Sequence, residues 1–251
     1  MSSIVKVRNM KLGEGVPKIC IPLTDTDLEG LKKSVRVIKN TPYDFIEWRA
    51  DFYKGVLDPE VRVKAMTLFR NELGNVPVLF TMRTSVEGGV MEIDTDEYNA
   101  LNSAIIESGL VDMVDVELSR GEKTMQNLVK AAHKFGVKVI GSRHDMISTP
   151  DKAVIVGSLC QMQELGADVA KFAVTPQTER DVLNLLDATL TMKEEHNETP
   201  VITMSMGRLG VVSRICGNVF GSAVTFGTAG KASAPGQLPA NLLSIFLKSL
   251  S

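Results

Sequence analysis

A lysine inside an apolar segment is the residue of clearest chemical interest in this sequence. Lys171 interrupts the run at 169–174, which reads VAKFAV. Lysine is rarely buried without a partner, so the position predicts either a structural lysine, in an ion pair or as the gatekeeper of an edge strand, or a functional amine. Burial and nearby cations favour the neutral amine, which can attack a ketone or aldehyde and form an imine. The pattern alone leaves both interpretations open.

Two further residues have types that suit acid–base chemistry. His144 ends an apolar segment one unit before Lys171, and an imidazole titrates near neutral pH. Glu87 lies in a Glu-Gly-Gly turn, where its carboxylate could orient the histidine. The alternatives are a structural histidine and a plain turn carboxylate. His133 and His196 lie in polar surroundings and are predicted to be surface residues.

Several arginines lie at, or just after, the ends of predicted strands. They are Arg49, Arg83, Arg208 and Arg214. If they converge, they predict an anionic, oxygen-rich ligand, because guanidinium binds carboxylate and phosphate through paired hydrogen bonds. No group of His, Cys, Asp and Glu has metal-ligand spacing, so no metal is expected. Asp115 alternates with Glu117 on one strand face, which indicates a polar core or a pocket wall.

The scaffold must bring these strand ends together. Apolar runs rich in β-branched residues predict eight strands, at residues 18–23, 45–49, 76–83, 113–118, 137–144, 168–174, 200–206 and 223–228. Amphipathic or capped segments predict helices at residues 27–39, 58–73, 95–109, 123–135, 151–165, 179–195 and 237–250, and a short helix at 214–219.

This alternation is typical of an α/β protein of the (β/α)8 TIM-barrel class, whose active sites lie at the C-terminal ends of the strands. An additional strand at residues 4–7, with a turn at 13–15, predicts a β-hairpin that closes the N-terminal end, or bottom, of the barrel. A doubly wound open sheet is the alternative, but the first predicted strand lacks the Gly-rich loop that such sheets usually carry.

Length and composition limit the class of protein. The chain has 251 residues, of which 44% are hydrophobic and 23% charged, which suits one barrel domain over residues 1–251 but also permits two small domains. The net charge of −2 argues against a nucleic-acid partner, and no apolar run approaches the ~18 residues of a membrane span. Three separated cysteines in apolar segments predict buried thiols and a cytoplasmic location.

The combination of motifs resembles the type I 3-dehydroquinate dehydratase family from about Val5 to the C-terminus. The motifs are, in chain order, GEGVPKI at 13–19, EWRAD at 47–51, RTSVEGG at 83–89, SRHD at 142–145, KFA at 171–173, MSMG at 204–207, SR at 213–214 and SAPGQ at 233–237. One departure is Pro22, where many relatives have a serine near the ligand.

The resemblance implies the reaction and the roles of the residues. It implies syn elimination of water from 3-dehydroquinate to give 3-dehydroshikimate in the shikimate pathway, with Lys171 as the Schiff-base amine, His144 as general acid and base, and Glu87 as the carboxylate that holds the histidine. It implies substrate contacts from Glu47, Arg49, Arg83, Arg214, Ser233 and Gln237, and an apolar wall of Met204, Met206 and Phe226.

The family pattern also sets the remaining expectations. Arg214 is expected to bind the substrate carboxylate, and the loop at residues 228–237 is expected to close over the ligand. The resemblance implies that the enzyme needs no cofactor, since the amine is itself the electron sink. It also implies that the protein is a homodimer. A class I aldolase of the same fold and a non-catalytic barrel that senses an acidic metabolite are the rival interpretations.

Overall fold

The computed structural model describes residues 4–230 and 232–250. Two strands form an antiparallel pair, and nine more form a parallel sheet. The strands are β1 (Val5–Val7), β2 (Met10–Leu12), β3 (Lys18–Leu23), β4 (Phe45–Arg49), β5 (Val78–Thr81), β6 (Met113–Glu117), β7 (Lys138–His144), β8 (Val169–Val174), β9 (Val201–Ser205), β10 (Val224–Thr228) and β11 (Leu238–Pro239).

Helices alternate with the strands of the parallel sheet. They are α1 (Leu28–Ile38), α2 (Pro59–Leu73), α3 (Thr95–Glu107), α4 (Glu122–Lys134), α5 (Lys152–Glu164), α6 (Glu179–Glu195), α7 (Val211–Ile215), α8 (Gly217–Phe220) and α9 (Ala240–Ser249). Asp27 and Asp58 accept backbone hydrogen bonds at the starts of α1 and α2, as N-cap residues do. None of the helices in the described part of the chain is both long and apolar enough to cross a membrane.

The parallel sheet curls round into a barrel. Strands β3 to β9 pair in sequence order, and β10 pairs with β3. At the opposite seam, Val201 and Ser222 form a parallel bridge, and the amide of Ala223 donates to the carbonyl of Val201 at 2.8 Å. The (β/α)8 prediction is therefore confirmed, and all eight predicted barrel strands are present with small shifts in their bounds.

One polar device recurs at the N-terminal end of the barrel. In each of four strand pairs, a side chain one or two residues before one strand accepts a hydrogen bond from a backbone amide of the preceding strand. The donor and acceptor pairs are Ile19 to Asp44, Val78 to Asp112, Val139 to Asp168 and Thr203 to Ser222. These bonds satisfy buried amides and fix the register at the end of the barrel opposite to the strand mouths.

The predicted hairpin is present, but its predicted turn is wrong. Val7 pairs with Met10, so the turn is at residues 8–9, and 13–15 instead links the hairpin to β3. Arg8 adopts a positive φ of 51°, and its Nε atom lies 2.5 Å from Asp112 Oδ1. This ion pair between distant segments accompanies a turn at residues 8–9 that contains no glycine, so the sequence gives no local indication of it. The buried side chains of the hairpin cluster with Cys20, Phe45 and other inward residues at the bottom of the barrel.

Two predicted helices begin elsewhere than expected. The C-terminal helix starts at Ala240, because Leu238 and Pro239 extend and pair with the end of β10. A residue before proline favours extended backbone, which accounts for the late start. The short helix predicted at 214–219 is two helices, α7 and α8, separated by Cys216. Cys20 and Cys216 are buried as expected, whereas Cys160 is only partly buried.

Candidate active site

A cavity of about 140 Å³ opens at the C-terminal ends of the barrel strands. All twelve predicted site residues line it: Glu47, Arg49, Arg83, Glu87, His144, Lys171, Met204, Met206, Arg214, Phe226, Ser233 and Gln237. The cavity wall also includes Gly88, Met146 and Ala173, which the sequence reasoning did not select. Arg208 is exposed and Pro22 lies in β3, and neither of them lines this cavity.

Lys171 is buried on β8 with carboxylates close to its amine. Its Nζ atom lies 3.5 Å from Asp115 Oδ2 and 3.9 Å from Glu47 Oε1. The same atom lies 4.7 Å from the centre of the Phe226 ring, within the range of a cation–π contact. The structural and the functional interpretation of Lys171 are thus compatible: its amine lies near acidic groups, as in an ion pair, and it also lines a cavity where it could react.

His144, at the end of β7, and Glu87, in the turn after β5, form a hydrogen-bonded pair across the end of the intervening strand β6. Nδ1 of His144 lies 2.8 Å from Oε2 of Glu87, and both side chains are largely buried. Burial lowers the pKa of His144 well below 6.5, and the positive charges of Arg83, Lys171 and Arg49 lower it further. Burial raises the pKa of Glu87 to about 7, against the attraction of Arg83.

Arg83 is surrounded by acidic side chains beneath the cavity. Its guanidinium lies 2.8 Å from Asp115 and 2.9 Å from Glu117, and it donates to Ser142 at 3.0 Å. Burial alone would lower the pKa of Arg83, but the carboxylates outweigh it and raise the pKa well above its usual value. Burial would likewise raise the pKa of Asp115, yet Arg83 and Lys171 hold it below the ordinary value.

The sequence did not predict that these carboxylates pair with Arg83. The alternation of Asp115 with Glu117 places both carboxylates on one face of β6 and indicates a polar core or a pocket wall, which is the only signal of the cluster in the sequence. Their partner Arg83 follows another strand, β5, so the pairing is visible only in the tertiary structure. Glu117 also accepts hydrogen bonds from the backbone and hydroxyl of Thr84, at 2.8 and 2.7 Å.

Arg214 is a buried cation beside the cavity. It is 2% exposed, and among the residues that the structure describes no carboxylate lies within ion-pair distance of it. Its contacts are the carbonyl of Pro235 at 3.0 Å and the sulfur of Met204 at 3.9 Å, and its Nε is unpartnered. Burial lowers its pKa to about 10. An uncompensated buried guanidinium beside a cavity suits an anionic ligand.

The remaining polar residues of the cavity are held by local contacts. Both nitrogens of the Arg49 fork donate to Asp51 at 2.8 Å. Glu47 accepts a hydrogen bond from the hydroxyl of Thr81 at 2.9 Å. These bonds orient the side chains of β4 before any ligand is present, which is what a binding wall requires.

The loop after β10 lies against the cavity. The amide nitrogen of Gln237 donates to the hydroxyl of Ser233 at 2.9 Å, and the backbone amide of Ser233 donates back at 2.8 Å. The carbonyl of Pro235, within this segment, accepts bonds from Arg214 and from the backbone of Gly207. The segment at 233–237 is therefore joined to the loop after β9 on one side of the cavity.

Comparisons with known proteins identify the family. A family model described as "Type I 3-dehydroquinase" matches residues 19–251. The chain belongs to the type I 3-dehydroquinase family. A 3-dehydroquinate dehydratase of Clostridium kluyveri is 48% identical over 252 residues, covering 100% of this chain and 99% of that protein. This result confirms the resemblance that the sequence motifs indicated.

Solved structures agree with the family assignment. The type I 3-dehydroquinate dehydratase from Clostridium difficile, with covalently modified comenic acid, is 46% identical, with a TM-score of 0.97 and coverage of 100% of this chain and 98% of that one. The 3-dehydroquinate dehydratase from Geobacillus kaustophilus is 37% identical, with a TM-score of 0.95 and the same coverage. The barrel is therefore shared along the whole chain.

Proposed function

We propose that this chain is a 3-dehydroquinate dehydratase, a hydro-lyase that eliminates water from 3-dehydroquinate through a Schiff base on Lys171. The observation that carries the proposal is one cavity that combines a buried amine, a histidine–carboxylate pair and an arginine with no carboxylate partner in the described part of the chain. The substrate has a ketone for the amine, a proton for the histidine and a carboxylate for the arginine. Family membership supports the same activity.

The first steps form the electron sink. The neutral amine of Lys171 attacks the C3 ketone, and loss of water from the resulting carbinolamine gives an iminium. The carboxylates of Asp115 and Glu47 lie 3.5 and 3.9 Å from Nζ, where they would stabilise the positive nitrogen. The relative from Clostridium difficile was solved with a covalently modified acid, which accords with covalent chemistry in this family.

His144 is proposed to move the proton in both halves of the elimination. Because its Nδ1 faces Glu87, the Nε2 atom is the one available to take the C2 proton. The electron pair left at C2 forms an enamine with the iminium. The enamine then expels the C1 hydroxyl, and His144 returns the proton so that water departs. One histidine serving both steps suits a syn elimination, and hydrolysis of the product imine releases 3-dehydroshikimate and the free amine.

The other residues are proposed to hold the substrate in place. Arg214 would pair with the carboxylate, while Glu47, Arg49, Arg83, Ser233 and Gln237 would contact the ring oxygens or complete the enclosure. Met204, Met206 and Phe226 form an apolar wall that reduces access of water to the imine. No step calls for a metal or an organic cofactor, since the lysine supplies the sink.

Other properties of the chain stay predictions. The role in the shikimate pathway, the homodimer and the cytoplasmic location follow from the family pattern and from composition. We also propose that residues 1–251 are one domain, which the continuous pairing of β3 to β9 supports.

The test is intact-protein mass spectrometry after mixing the protein with 3-dehydroquinate and borohydride. A stable adduct of ligand mass that maps to Lys171 and is absent in Lys171→Ala would support the proposal. Lys152→Ala is the matched control, because Lys152 pairs with Asp187 on the surface and should leave the adduct intact. Folded protein that gives neither adduct nor dehydroshikimate would overturn the proposal, and activity on a sugar phosphate instead would indicate an aldolase.

A further inference from the structure

A serine outside the predicted site holds the second oxygen of Glu87. The hydroxyl of Ser119 donates to Oε1 of Glu87 at 2.6 Å, from the short 3-10 turn that follows β6. The other oxygen, Oε2, lies 2.8 Å from Nδ1 of His144 and 3.4 Å from Arg83. One carboxylate oxygen of Glu87 thus accepts a hydrogen bond from the serine, and the other faces the histidine and the arginine.

We propose that Ser119 is a positioning residue for the dehydration, which keeps the Glu87 carboxylate ionised and turned so that His144 holds its proton on Nδ1. The inference rests on the proposed function, because it assigns Ser119 to the same acid–base pair. Ser119 does not line the cavity, so it acts through Glu87 and His144 and not on the substrate itself.

The hydrogen bond matters because it determines which tautomer of His144 is present. An ionised Glu87 can only accept, so Nδ1 of His144 carries the hydrogen and Nε2 is free as a base. A protonated Glu87 would donate its own hydrogen to Nδ1, which moves the histidine proton to Nε2 and removes the base. A hydroxyl on Oε1 favours the first arrangement, since its hydrogen bond is stronger to an ionised carboxylate.

The charges around Glu87 make a neutral donor useful there. Arg83 attracts the carboxylate from the end of β5, whereas Asp115 and Glu117 on β6 repel it. From β7 it meets His144, which is neutral when it acts as a base. Burial and the two acidic neighbours together bring the pKa of Glu87 to about 7, and the Ser119 hydroxyl works against that rise. Removing this donor therefore leaves the ionised form less stable near neutral pH.

The experiment compares the pH dependence of kcat/KM in wild type, Ser119→Ala and Ser119→Thr. In Ser119→Ala the acid limb should move upward by about half a pH unit, a roughly threefold loss below the limb, with less than about twofold change on the alkaline plateau. Ser119→Thr retains a hydroxyl and should restore the wild-type limb. Ser119 is exposed, so the fold should tolerate both changes.

Ser85→Ala is the matched control. Ser85 is an exposed serine in the turn that contains Glu87, and its hydroxyl makes no hydrogen bond to the residues described here. Its variant should follow the wild-type pH profile. An equal loss at all pH values in Ser119→Ala would overturn the inference, because it would indicate a general structural defect. A profile identical to wild type would overturn it as well.

A second measurement separates this inference from the proposed function. The ¹⁵N NMR signals of the His144 ring, recorded without substrate, report which nitrogen carries the proton. In Ser119→Ala the Nδ1–H form should be lost at a higher pH than in wild type. An unchanged tautomer titration would overturn the positioning role even if the enzyme turns over dehydroquinate. A shifted titration in a protein that forms no imine would support the role while the proposed reaction fails.

Discussion

The Nδ1 atom of His144 lies 2.8 Å from Oε2 of Glu87, a carboxyl whose pKa burial raises to about 7. A carboxylate that orients a base must be ionised to do so. The ionised and the protonated forms of Glu87 should therefore both be populated near neutral pH, and activity and stability should both depend on which form is present.

Activity should fall as the pH drops below about 7. Because we propose that the ionised Glu87 fixes the working tautomer of His144, kcat/KM should decline roughly tenfold per pH unit below the Glu87 pKa of about 7. Glu87→Gln should lose this limb and about 10²-fold of kcat. Steady-state rates from pH 5 to 9 test this, and a flat wild-type profile down to pH 5 would contradict it.

Stability should change in the opposite direction. The folded-state pKa of Glu87, about 7, exceeds its ordinary value of 4.5, so the folded protein binds this proton more tightly than the unfolded chain. The Glu87 contribution to the free energy of unfolding should thus rise as pH falls from 7 to 4.5, by up to about 3 kcal/mol.

Glu87→Gln isolates that contribution. His144, whose pKa is lowered, acts with the opposite sign in a neighbouring window, so the wild-type curve alone would mix the two groups. The variant should be more stable than wild type at pH 8, and its advantage should shrink towards pH 4.5. Urea unfolding at both pH values measures the difference. An advantage that grows as pH falls would mean that burial does not raise this pKa.

His144→Ala should still form the imine but should stall before elimination. Lys171 reaches the cavity independently of the histidine, whereas removal of the C2 proton needs a base. We expect kcat to drop by about 10²- to 10⁴-fold, with the borohydride adduct still present at Lys171. Single-turnover rates combined with mass spectrometry test this. Near-normal turnover would show that another group is the base.

Arg214→Met should weaken substrate use without weakening the fold. Loss of the only proposed partner for the carboxylate should lower kcat/KM by roughly 30- to 1,000-fold, mainly through KM. Burial lowers the pKa of Arg214 to about 10, which means that its charge opposes folding at neutral pH. The methionine variant should therefore gain about 1 kcal/mol, or ~2–4 °C in Tm.

Arg208→Met is the control for this change. Arg208 is exposed in the turn just before α7, the helix that carries Arg214, and it does not line the cavity, so its variant should match wild type in both measurements. A fall of several degrees in Tm for Arg214→Met would show that the arginine is mainly structural, held by Pro235 and Met204.

Gln237→Ala should raise KM more than it lowers kcat. Gln237 pairs with Ser233 on the segment at 233–237, which lines one side of the cavity, and its proposed role is to contact the ligand and not to transfer a proton or form the imine. Its loss should therefore affect enclosure of the ligand before it affects the chemistry. Steady-state kinetics separate the two parameters. A large loss of kcat with unchanged KM would contradict a binding role.

Local patterns in the sequence predicted the scaffold and the types of residue at its mouth. Alternation of apolar strands with amphipathic helices predicted all eight barrel strands, since burial of one face imposes a period that can be read locally. Lys171 stood out because a charge in an apolar run is costly, and His144 because it ends a strand. The assignment of their roles needed the family resemblance, which was carried by motifs spread along the chain.

The hairpin and the C-terminal helix show the limit of local signals. Glycines at 13–15 indicated the turn, yet the chain turns at Arg8, whose positive φ coincides with an ion pair to Asp112. The amphipathic pattern extended the last helix to residue 237, but pairing with β10 keeps Leu238 and Pro239 extended. In both places a tertiary contact outweighs the local preference.

The sequence by itself determined the order of elements, the burial of Lys171 and the set of side chains available for chemistry. Only the tertiary structure decided which of them meet: Glu87 with His144 across 57 residues, Lys171 with Asp115 across 56, and Arg83 with Glu117 across 34. It also decided that Arg214 has no acidic partner among the described residues, and that the hydroxyl of Ser119 donates a hydrogen bond to Glu87. The reason is that hydrophobic periodicity is a property of neighbours along the chain, whereas charge pairing and hydrogen bonding depend on distances of a few ångströms between segments that the fold alone brings together.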